Sequence, residues 1–361
     1  MSLRAFGAPA RYIQGPEALS ELGALARLHG RRPFVVADAV VTTLLGDRLR
    51  RELAEAEAAT FAAFSGECTA QDIDALAQAA RAAGADVVIG VGGGKAIDTA
   101  KGVRMALGLP IIIVPTIASN DSPTSRLAVL YTPDHVLSEV RLMSANPDAV
   151  LVDTSVIVQA PARFFVAGIG DALSKKFEVE QCARAGGLNF FKARPTDLAV
   201  TIAGACYAAI RADGEAALTS VARNTACPAV ERVVEATILL SGLAFESGGL
   251  SIAHSLTRGF STVPDVARAL HGEQVALGLL VQLLAEGRDE AFMDDLIAFY
   301  RRIGLPCALE DFGVSDGAAV ARIVQVSWDT APYIRNFVEP LSPQVLTDAF
   351  ATLSRRAAAR G

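Results

Sequence analysis

The sequence is poor in aromatic residues, histidine and cysteine, and the pattern of its cysteines excludes two kinds of site. Aromatic side chains make up 6% of the chain, there are four histidines, and the five cysteines are scattered without a CxxC pair. Neither a disulfide framework nor a cysteine zinc site is indicated, and a reducing, cytoplasmic compartment is expected. Apolar runs are too short to span a bilayer, and the N-terminus lacks a signal-peptide core, so no membrane association is expected.

Charge of either sign is also modest. The chain has 33 basic and 39 acidic residues, a net charge of -6, and no run of Lys or Arg that could follow a phosphate backbone. Nucleic acid is therefore not expected as a partner. Hydrophobic residues make up 52% of the chain, which with so few aromatics predicts packed helices rich in Ala, Leu and Val. A length of 361 residues allows two domains with a cleft between them.

The two parts of the chain differ in their hydrophobic pattern. Up to about residue 160, helical stretches at 43–57, 69–84 and 95–107 alternate with short apolar runs, which are PFVVA (33–37), ATFAAFS (59–65), DVVIGV (86–91) and LPIIIVPT (109–116). This alternation predicts parallel βαβ units. Beyond Pro161, Ala/Leu/Glu periodicity dominates. We therefore predict an α/β domain over residues 1–161 and an all-α domain over residues 162–361.

A glycine-rich loop follows one of the predicted strands. The stretch VVIGVGGGKAIDTAKG (87–102) places three consecutive glycines between a strand and a helix, where backbone N–H groups and a helix N-terminus can hold a pyrophosphate. The stretch is neither GxGxxG nor Walker A, and a tight strand-to-helix turn is the alternative. Asp38, after PFVVA, could bind ribose hydroxyls and repel a 2′-phosphate, favouring NAD over NADP, or could simply cap a helix.

Two of the four histidines bound the stretch HSLTRGFSTVPDVARALH (254–271). Neutral imidazoles with a carboxylate form a common donor set for a catalytic divalent ion. His254 is predicted within one helix despite Gly248 and Gly249, whereas His271 opens a helix, where the dipole favours the neutral ring. Asp171 in AGIGDALSKKFE, predicted at a helix start, is one candidate for the carboxylate. The residues alone favour other roles, namely hydrogen-bonded core histidines and an N-capping aspartate.

Five motifs occur in an order that is recognisable. GVGGGKAIDTAKG, VPTIASNDSPTS, APARFFVAGIGDAL, LSGLAFESGGLSIAH and LHGEQVALG closely resemble glycerol dehydrogenases of the iron-type (group III) alcohol dehydrogenase superfamily, with the likeness extending from ARYIQGPEALSELG to about residue 310. The resemblance implies a Rossmann-like N-terminal domain and an all-α C-terminal domain, the dehydroquinate synthase-like architecture. It also implies NAD, a divalent metal with zinc favoured over iron, and a homo-oligomer, often an octamer.

The resemblance also assigns residues to the site. Asp171, His254 and His271 match the metal ligands, and Asp121 matches the residue that contacts the polyol. Positions that match the cofactor site are Asp38, Gly93, Gly94, Lys95, Asp98, Thr116, Ser119, Ser125, Leu127 and Tyr131. Thr257 and Arg258 depart from the pattern, because these enzymes often carry a further histidine there. That difference lies beside the metal ligands and bears on substrate preference.

The resulting hypothesis is an enzyme that oxidises a small polyol, glycerol to dihydroxyacetone, with NAD and a metal acting as Lewis acid. One alternative keeps the chemistry with a 2-hydroxy acid or another small alcohol as substrate, for which Arg126 or Arg258 could supply a cation. A lyase of the dehydroquinate-synthase type would need more histidine and basic residues than this chain offers. A binding module without activity would not need both a phosphate loop and a metal site.

Overall fold

The computed structural model describes residues 3–132 and 137–358, which pack into two compact units. One unit comprises Gly7–Ala162 and Ser220–Gly242. The other comprises the N-terminal residues up to Phe6, Arg163–Thr219 and the chain from Leu243 onward. The division after Ala162 lies beside the predicted limit at residue 161, but residues 220–242 pack with the α/β unit.

Hydrogen bonds explain why residues 220–242 leave the helical unit. Gln14 Nε2 donates to the backbone oxygen and to Oε2 of Glu231, at 2.9 and 2.8 Å, and Thr154 Oγ1 donates to Glu231 Oε1 at 2.6 Å. These contacts join positions more than 70 residues apart, 217 between Gln14 and Glu231 and 77 between Thr154 and Glu231, so local sequence pattern does not reveal them. Expected domain limits of 1–161 and 162–361 would place this segment in the helical domain.

The secondary structure alternates in the first part of the chain and is almost entirely helical afterwards. The strands are β1 (Tyr12–Gly15), β2 (Pro33–Ala37), β3 (Thr60–Ala63), β4 (Val87–Gly92), β5 (Ile111–Pro115), β6 (Leu127–Tyr131), β7 (Leu137–Leu142) and β8 (Ala149–Asp153). The helices are α1 (Leu22–His29), α2 (Ala39–Glu52), α3 (Ala70–Ala82), α4 (Gly94–Leu107), α5 (Thr154–Ile157), α6 (Ala162–Ala185), α7 (Asp197–Val221), α8 (Pro228–Glu235), α9 (Ser241–Gly248), α10 (Ile252–Phe260), α11 (Pro264–Ala267), α12 (His271–Ala285), α13 (Glu290–Ile303), α14 (Gly317–Thr330) and α15 (Pro343–Ala358). Short 3₁₀ turns occur at Ala18–Glu21, Ser122–Thr124 and Leu309–Phe312, and a π turn joins α8 to α9 at Ala236–Leu240.

Six parallel strands form the sheet of the α/β unit, in the order β1-β8-β5-β4-β2-β3. Every residue of β2, β4, β5 and β8 is buried, as expected for strands covered on both faces. An antiparallel hairpin of β6 and β7 was not among the predicted elements. The fold class, a Rossmann-like α/β part followed by a helical part, is confirmed.

The strand order reverses direction between β2 and β4. The chain leaves β2 for β3 on one side and leaves β4 for β5 on the other, so the crossover connections separate there. In open parallel sheets, ligands bind outside the carboxyl ends of strands at such a point. Asp38, Gly93 and Thr116 directly follow β2, β4 and β5, which are neighbours in the sheet, so all three lie at this edge.

Capping residues begin two of the helices on the α/β unit. Asp38 caps α2, accepting a hydrogen bond from Val41 N at 2.8 Å. Thr69 caps α3 and accepts from Asp72 N at 3.1 Å, as its sequence spacing predicts. The reciprocal half of that capping box is absent, because the Asp72 carboxylate accepts from Ser65 N instead.

The helical unit corrects two predictions about helix boundaries. Helix α9 ends at Gly248 and α10 begins at Ile252, so His254 does not lie in one continuous helix. Gly249 has a φ of +85°, and a Cβ there would lie 2.5 Å from Cys182 Sγ, so this break combines a left-handed turn with a close approach. Asp171 lies inside α6 and is not at a helix start, so its role is not that of an N-cap.

Within the described residues, no single helix has both the length and the hydropathy needed to cross a membrane. In the same part of the chain, one bent pair of helical segments, Pro228–Gly248 with Ile252–Phe260, reaches the required length and composition when the two are taken together.

Candidate functional site

Three helices of one unit bring Asp171, His254 and His271 together. Asp171 lies in α6, His254 in the first turn of α10, and His271 is the first residue of α12. Their potential ligand atoms lie within 4.8 Å of one another. Asp171 Oδ1 is 3.2 Å from His254 Nε2 and 3.9 Å from His271 Nε2. The short helix α11 separates the two histidine helices, which are therefore not successive.

These distances fit a divalent metal ion. A tetrahedral ion with bonds of about 2.0–2.1 Å holds its donor atoms about 3.3 Å apart, close to the separations around Asp171 Oδ1. Asp171 is only 1% exposed, and its buried Oδ2 has no hydrogen-bond partner among the described residues. An unpartnered buried carboxylate oxygen is costly unless a ligand satisfies it. The residues present thus fit an ion with two imidazoles and one carboxylate.

Glu178 holds the His254 ring in position. Its Oε2 lies 2.5 Å from His254 Nδ1, while Oε1 accepts from the backbone N–H groups of Ser251 and His254 at 2.9 and 3.0 Å. With Nδ1 directed at Glu178, Nε2 faces Asp171. A carboxylate behind a histidine ligand sets its tautomer and orientation.

Reasoning from sequence missed two buried charges of this cluster, Glu178 and Lys175. Its Nζ donates to Asp171 Oδ1 at 2.6 Å and lies 3.0 Å from His254 Nε2, and its side chain is 1% exposed. Asp171, Lys175 and Glu178 lie at positions i, i+4 and i+7 of α6, which is one helix face. Reading AGIGDALSKKFE as a helix interior would have aligned these three side chains.

The acidic groups of this cluster are held ionised. Burial raises the pKa of Asp171, but Lys175 and the two histidines outweigh it, so the pKa lies well below its usual range. Burial likewise raises the pKa of Glu178, and the adjacent His254 more than compensates, leaving that pKa lowered. Two carboxylates therefore face the basic groups, as a cation site requires.

The two histidines differ in basicity. Burial lowers the pKa of His254, but Glu178 outweighs it and raises the pKa to about 9. Lys175 opposes this rise, because an ammonium group 3.0 Å from His254 Nε2 disfavours a proton on that nitrogen. Desolvation lowers the pKa of His271 to about 4, although 47% of its side chain remains exposed. His271 is therefore neutral at pH 7, and metal binding at His254 Nε2 requires loss of a proton.

Replacing Glu178 with glutamine is expected to weaken zinc binding by about 10- to 100-fold. Glutamine can keep its oxygen on the two backbone N–H groups, but its amide then donates to His254 Nδ1. The ring proton moves to Nε2, which no longer offers a lone pair beside Asp171. Competition with a chromophoric chelator measures the zinc affinity. Glu180→Gln on the same helix, where Glu180 pairs with Lys176, is the control, and equal zinc affinities in the two variants would contradict this role for Glu178.

The sheet edge brings together part of the predicted dinucleotide site. Gly93 is the N-cap of α4 and Gly94 its first residue, and Thr116 N donates to Gly92 O at 3.0 Å. Gly92 has a φ of +148°, and a Cβ there would lie 3.6 Å from Asp38 Oδ2 and 2.8 Å from Ala96 Cβ. Asp38 thus lies beside the glycine turn. A backbone turn at a helix N-terminus with a carboxylate alongside fits a dinucleotide pyrophosphate and ribose.

The other predicted cofactor residues also lie in the α/β unit. Lys95 pairs with buried Glu67 at 2.7 Å and lies 5.8 Å from the Tyr131 ring centroid. Asp98 is turned inward and accepts from Ser122 Oγ at 2.7 Å and from Val129 N at 3.0 Å. Ser125 Oγ and Leu127 O both contact Lys101 Nζ, at 3.4 and 2.6 Å, and Ser119 is half-buried in the loop after β5.

Asp121, the predicted substrate contact, is buried at 8% exposure and lies in the α/β unit. Its Oδ2 accepts from Ser241 Oγ at 2.6 Å, and nearby Thr124 Oγ1 donates to Ile238 O of the π turn at 3.0 Å. Thr257 folds back on its own helix, with Oγ1 donating to His254 O at 2.7 Å. Thr257, one of the two residues that depart from the expected motif, therefore contacts the backbone of a predicted ligand.

Comparison with known proteins extends over both units. The family model described as iron-containing alcohol dehydrogenase matches residues 9–154. The chain is 37% identical over 350 residues to glycolaldehyde reductase of Halobacterium salinarum, covering 96% of each chain. It is 38% identical over 314 residues to glycerol dehydrogenase of Pseudomonas putida, covering 87% of this chain and 86% of the relative. A probable glycerol dehydrogenase from Sinorhizobium meliloti 1021 has a crystal structure similar at a TM-score of 0.92 and 36% identity, covering 99% of this chain and 100% of the other.

Proposed function

The chain belongs to the iron-containing alcohol dehydrogenase family, and we propose that it is an NAD- and metal-dependent dehydrogenase that oxidises glycerol to dihydroxyacetone. The observation that carries the proposal is the cluster of Asp171, His254 and His271, whose donor atoms lie within 4.8 Å of one another. The substrate is inferred from relatives named glycerol dehydrogenase, such as those of Pseudomonas putida and Thermotoga maritima, at 38% and 37% identity.

Asp171, His254 and His271 would hold the divalent ion. When bound, the ion would supply Lewis acidity to the substrate hydroxyl. Two imidazoles with one carboxylate suit zinc or iron(II), and we propose zinc because the resemblance to glycerol dehydrogenases favours it. Glu178 keeps Nε2 of His254 directed at Asp171. The exposed edge of His271 leaves that side of the cluster accessible to a small alcohol.

The reaction removes a hydride from the carbinol carbon and a proton from the hydroxyl, and reduces one NAD⁺ for each alcohol oxidised. Asp121 would accept a hydrogen bond from a second hydroxyl of the polyol and so orient it. Ser241 holds one oxygen of that carboxylate, which limits its rotation. We therefore propose that polyols with neighbouring hydroxyls are the preferred substrates.

Asp38 would determine the preference for NAD. Asp38→Ser is expected to raise kcat/KM for NADP⁺ at least about tenfold and to lower it for NAD⁺, because it removes the charge that repels a 2′-phosphate. Serine still caps α2, so the helix start is retained. Asp38→Ala, which loses both cap and charge, separates a stability effect from the effect on specificity. Initial rates with both dinucleotides provide the measurement, and an unchanged ratio would rule out this role for Asp38.

A substrate panel tests the proposal itself. Metal-stripped protein is reconstituted with zinc or iron and assayed for NAD⁺ reduction with glycerol, 1,2-propanediol, ethanol and lactate. We expect the highest kcat/KM with glycerol and zinc, and no activity before a metal is added. Preference for lactate over both polyols would instead favour the 2-hydroxy acid alternative.

A second candidate reaction is the reduction of glycolaldehyde. It is favoured by the 37% identity to glycolaldehyde reductase over 96% of both chains. The same site would serve, because hydride transfer to an aldehyde is the reverse of alcohol oxidation. Comparing NADH oxidation by glycolaldehyde with NAD⁺ reduction by glycerol under matched conditions distinguishes the two.

The remaining expectations concern compartment and assembly. All five cysteines are free, and burial raises the pKa of Cys68 and Cys182 to about 12, so these thiols suit a reducing cytoplasm. We also propose a homo-oligomer, an octamer being one form. Light scattering of the purified protein measures the subunit number directly.

A further inference from the structure

Lys175 contacts the same atoms that are assigned to the metal ion. Its Nζ lies 2.6 Å from Asp171 Oδ1 and 3.0 Å from His254 Nε2, and the side chain is almost fully buried. The centroid of the Phe245 ring lies 5.5 Å from Lys175 Nζ. Lys175 is therefore a buried cation among the donor atoms. Its ion pair with Asp171 is not a surface ion pair, because both side chains are 1% exposed.

The distances set a limit on coexistence with a divalent ion. Asp171 Oδ1 and His254 Nε2 are 3.2 Å apart, and Nζ lies 2.6 and 3.0 Å from them. An ion bonded to both atoms at about 2.1 Å cannot lie farther than about 3.7 Å from Nζ in its present place. Two cations that close in a buried site repel strongly, since little water screens them.

We infer that Lys175 is a resident counter-ion which a divalent metal has to displace from Asp171 and His254. This inference rests on the proposed metal site and adds a regulatory element to it. Metal loading becomes an exchange of one cation for another. The four-carbon stem of lysine is flexible enough for Nζ to move while the helix stays in place. Lys175 consequently stabilises the metal-free protein and lowers its affinity for the metal.

The test compares zinc affinity among variants of the full-length protein. Lys175→Met keeps the length of the side chain and removes its charge, and is expected to bind zinc at least about tenfold more tightly than the unmodified protein. Lys175→Arg, which keeps a cation, should not gain affinity. Lys176→Met is the matched control, because Lys176 is the next residue of α6 and pairs with Glu180 at the surface. Zinc affinity is read by chelator competition after metal removal.

A second readout is the thermal midpoint with and without zinc. Without metal, Lys175→Met should melt at a lower temperature than the unmodified protein, because Asp171 loses its counter-ion. Added zinc should raise the midpoint of this variant more, since tighter ligand binding to the folded state gives greater stabilisation. If Lys175→Met does not fold without metal, Lys175→Gln purified with zinc is used for the chelator competition.

Two outcomes overturn different statements. Equal or weaker zinc affinity in the neutral variants, with activity still dependent on zinc, would overturn the displacement by Lys175 and leave the proposed function intact. Full activity of the unmodified protein after exhaustive metal removal would overturn the metal-dependent function itself.

Discussion

Replacing Asp171 with asparagine is expected to lower kcat by at least about 1,000-fold, which corresponds to about 4 kcal/mol of transition-state stabilisation. Asparagine keeps the volume of the side chain but removes the only carboxylate among the three clustered donors. It also leaves the Lys175 ammonium buried without that carboxylate, 2.6 Å from Oδ1 in the present structure. We therefore expect the purified variant to contain less than one divalent metal ion per chain. Metal content is measured by mass spectrometry and kcat by NAD⁺ reduction with glycerol.

Dinucleotide binding provides the control for the Asp171 variant. The glycine turn and Asp38 lie in the other unit, so NADH affinity measured by fluorescence should change less than about threefold. A thermal midpoint reports any loss of folding. A variant that keeps more than a tenth of the original kcat would contradict the assignment of Asp171 to the metal.

Replacing Gly272 with alanine is expected to destabilise the helical unit by at least about 3 kcal/mol. Gly272 follows His271 at the start of α12, and a Cβ there would lie 1.7 Å from the backbone oxygen of Ala167 in α6. Across the same contact, a Cβ on Gly170 would lie 2.5 Å from Gly272 O. Relief of such a clash requires the helix backbones to separate, which moves His271 away from Asp171. Zinc affinity should therefore fall together with stability.

Unfolding in urea, followed by the fluorescence of the only tryptophan, Trp328 in α14, measures the stability change. Gly204→Ala is the matched control, because Gly204 lies inside α7 and a Cβ there would meet nothing within 4 Å. Alanine is the better helix former, so this control should be neutral or slightly more stable. Equal stability of the Gly272 and Gly204 variants would show that α6 and α12 can separate without cost.

Much of the α/β fold could be predicted because its signals are local. Buried parallel strands appear as continuous apolar runs, and β2, β4 and β5 match the predicted runs closely. Thr69 begins α3 as its spacing indicates, since a cap forms between residues three positions apart. The hairpin β6–β7 was missed, because its sequence lacks a two-residue turn signal between the strands.

The helix boundaries near the metal ligands were predicted less well. Glycine at 168 and 170 suggested a helix start, yet α6 runs from Ala162 through both. Gly170 is used where the backbone of α12 approaches, at Gly272 O. Gly249 likewise combines a left-handed turn with the nearby Cys182 side chain. Sequence pattern does not distinguish a glycine that ends a helix from one that admits a neighbouring backbone.

The sequence by itself determined the family and the alternation of strands and helices in the first part of the chain, because these depend on motifs and on local hydrophobic period. The three donors were predicted only through the family resemblance. Tertiary structure alone decided which charges surround the donors. Lys175 and His254 are 79 residues apart, and Glu178 and His254 are 76 apart, so they meet only because the tertiary fold places the first turn of α10 beside α6. Contacts of this kind depend on helix positions to within about 1 Å, which no periodicity in the sequence specifies. His254 therefore contacts a buried cation and a buried carboxylate that both belong to α6, the helix of Asp171.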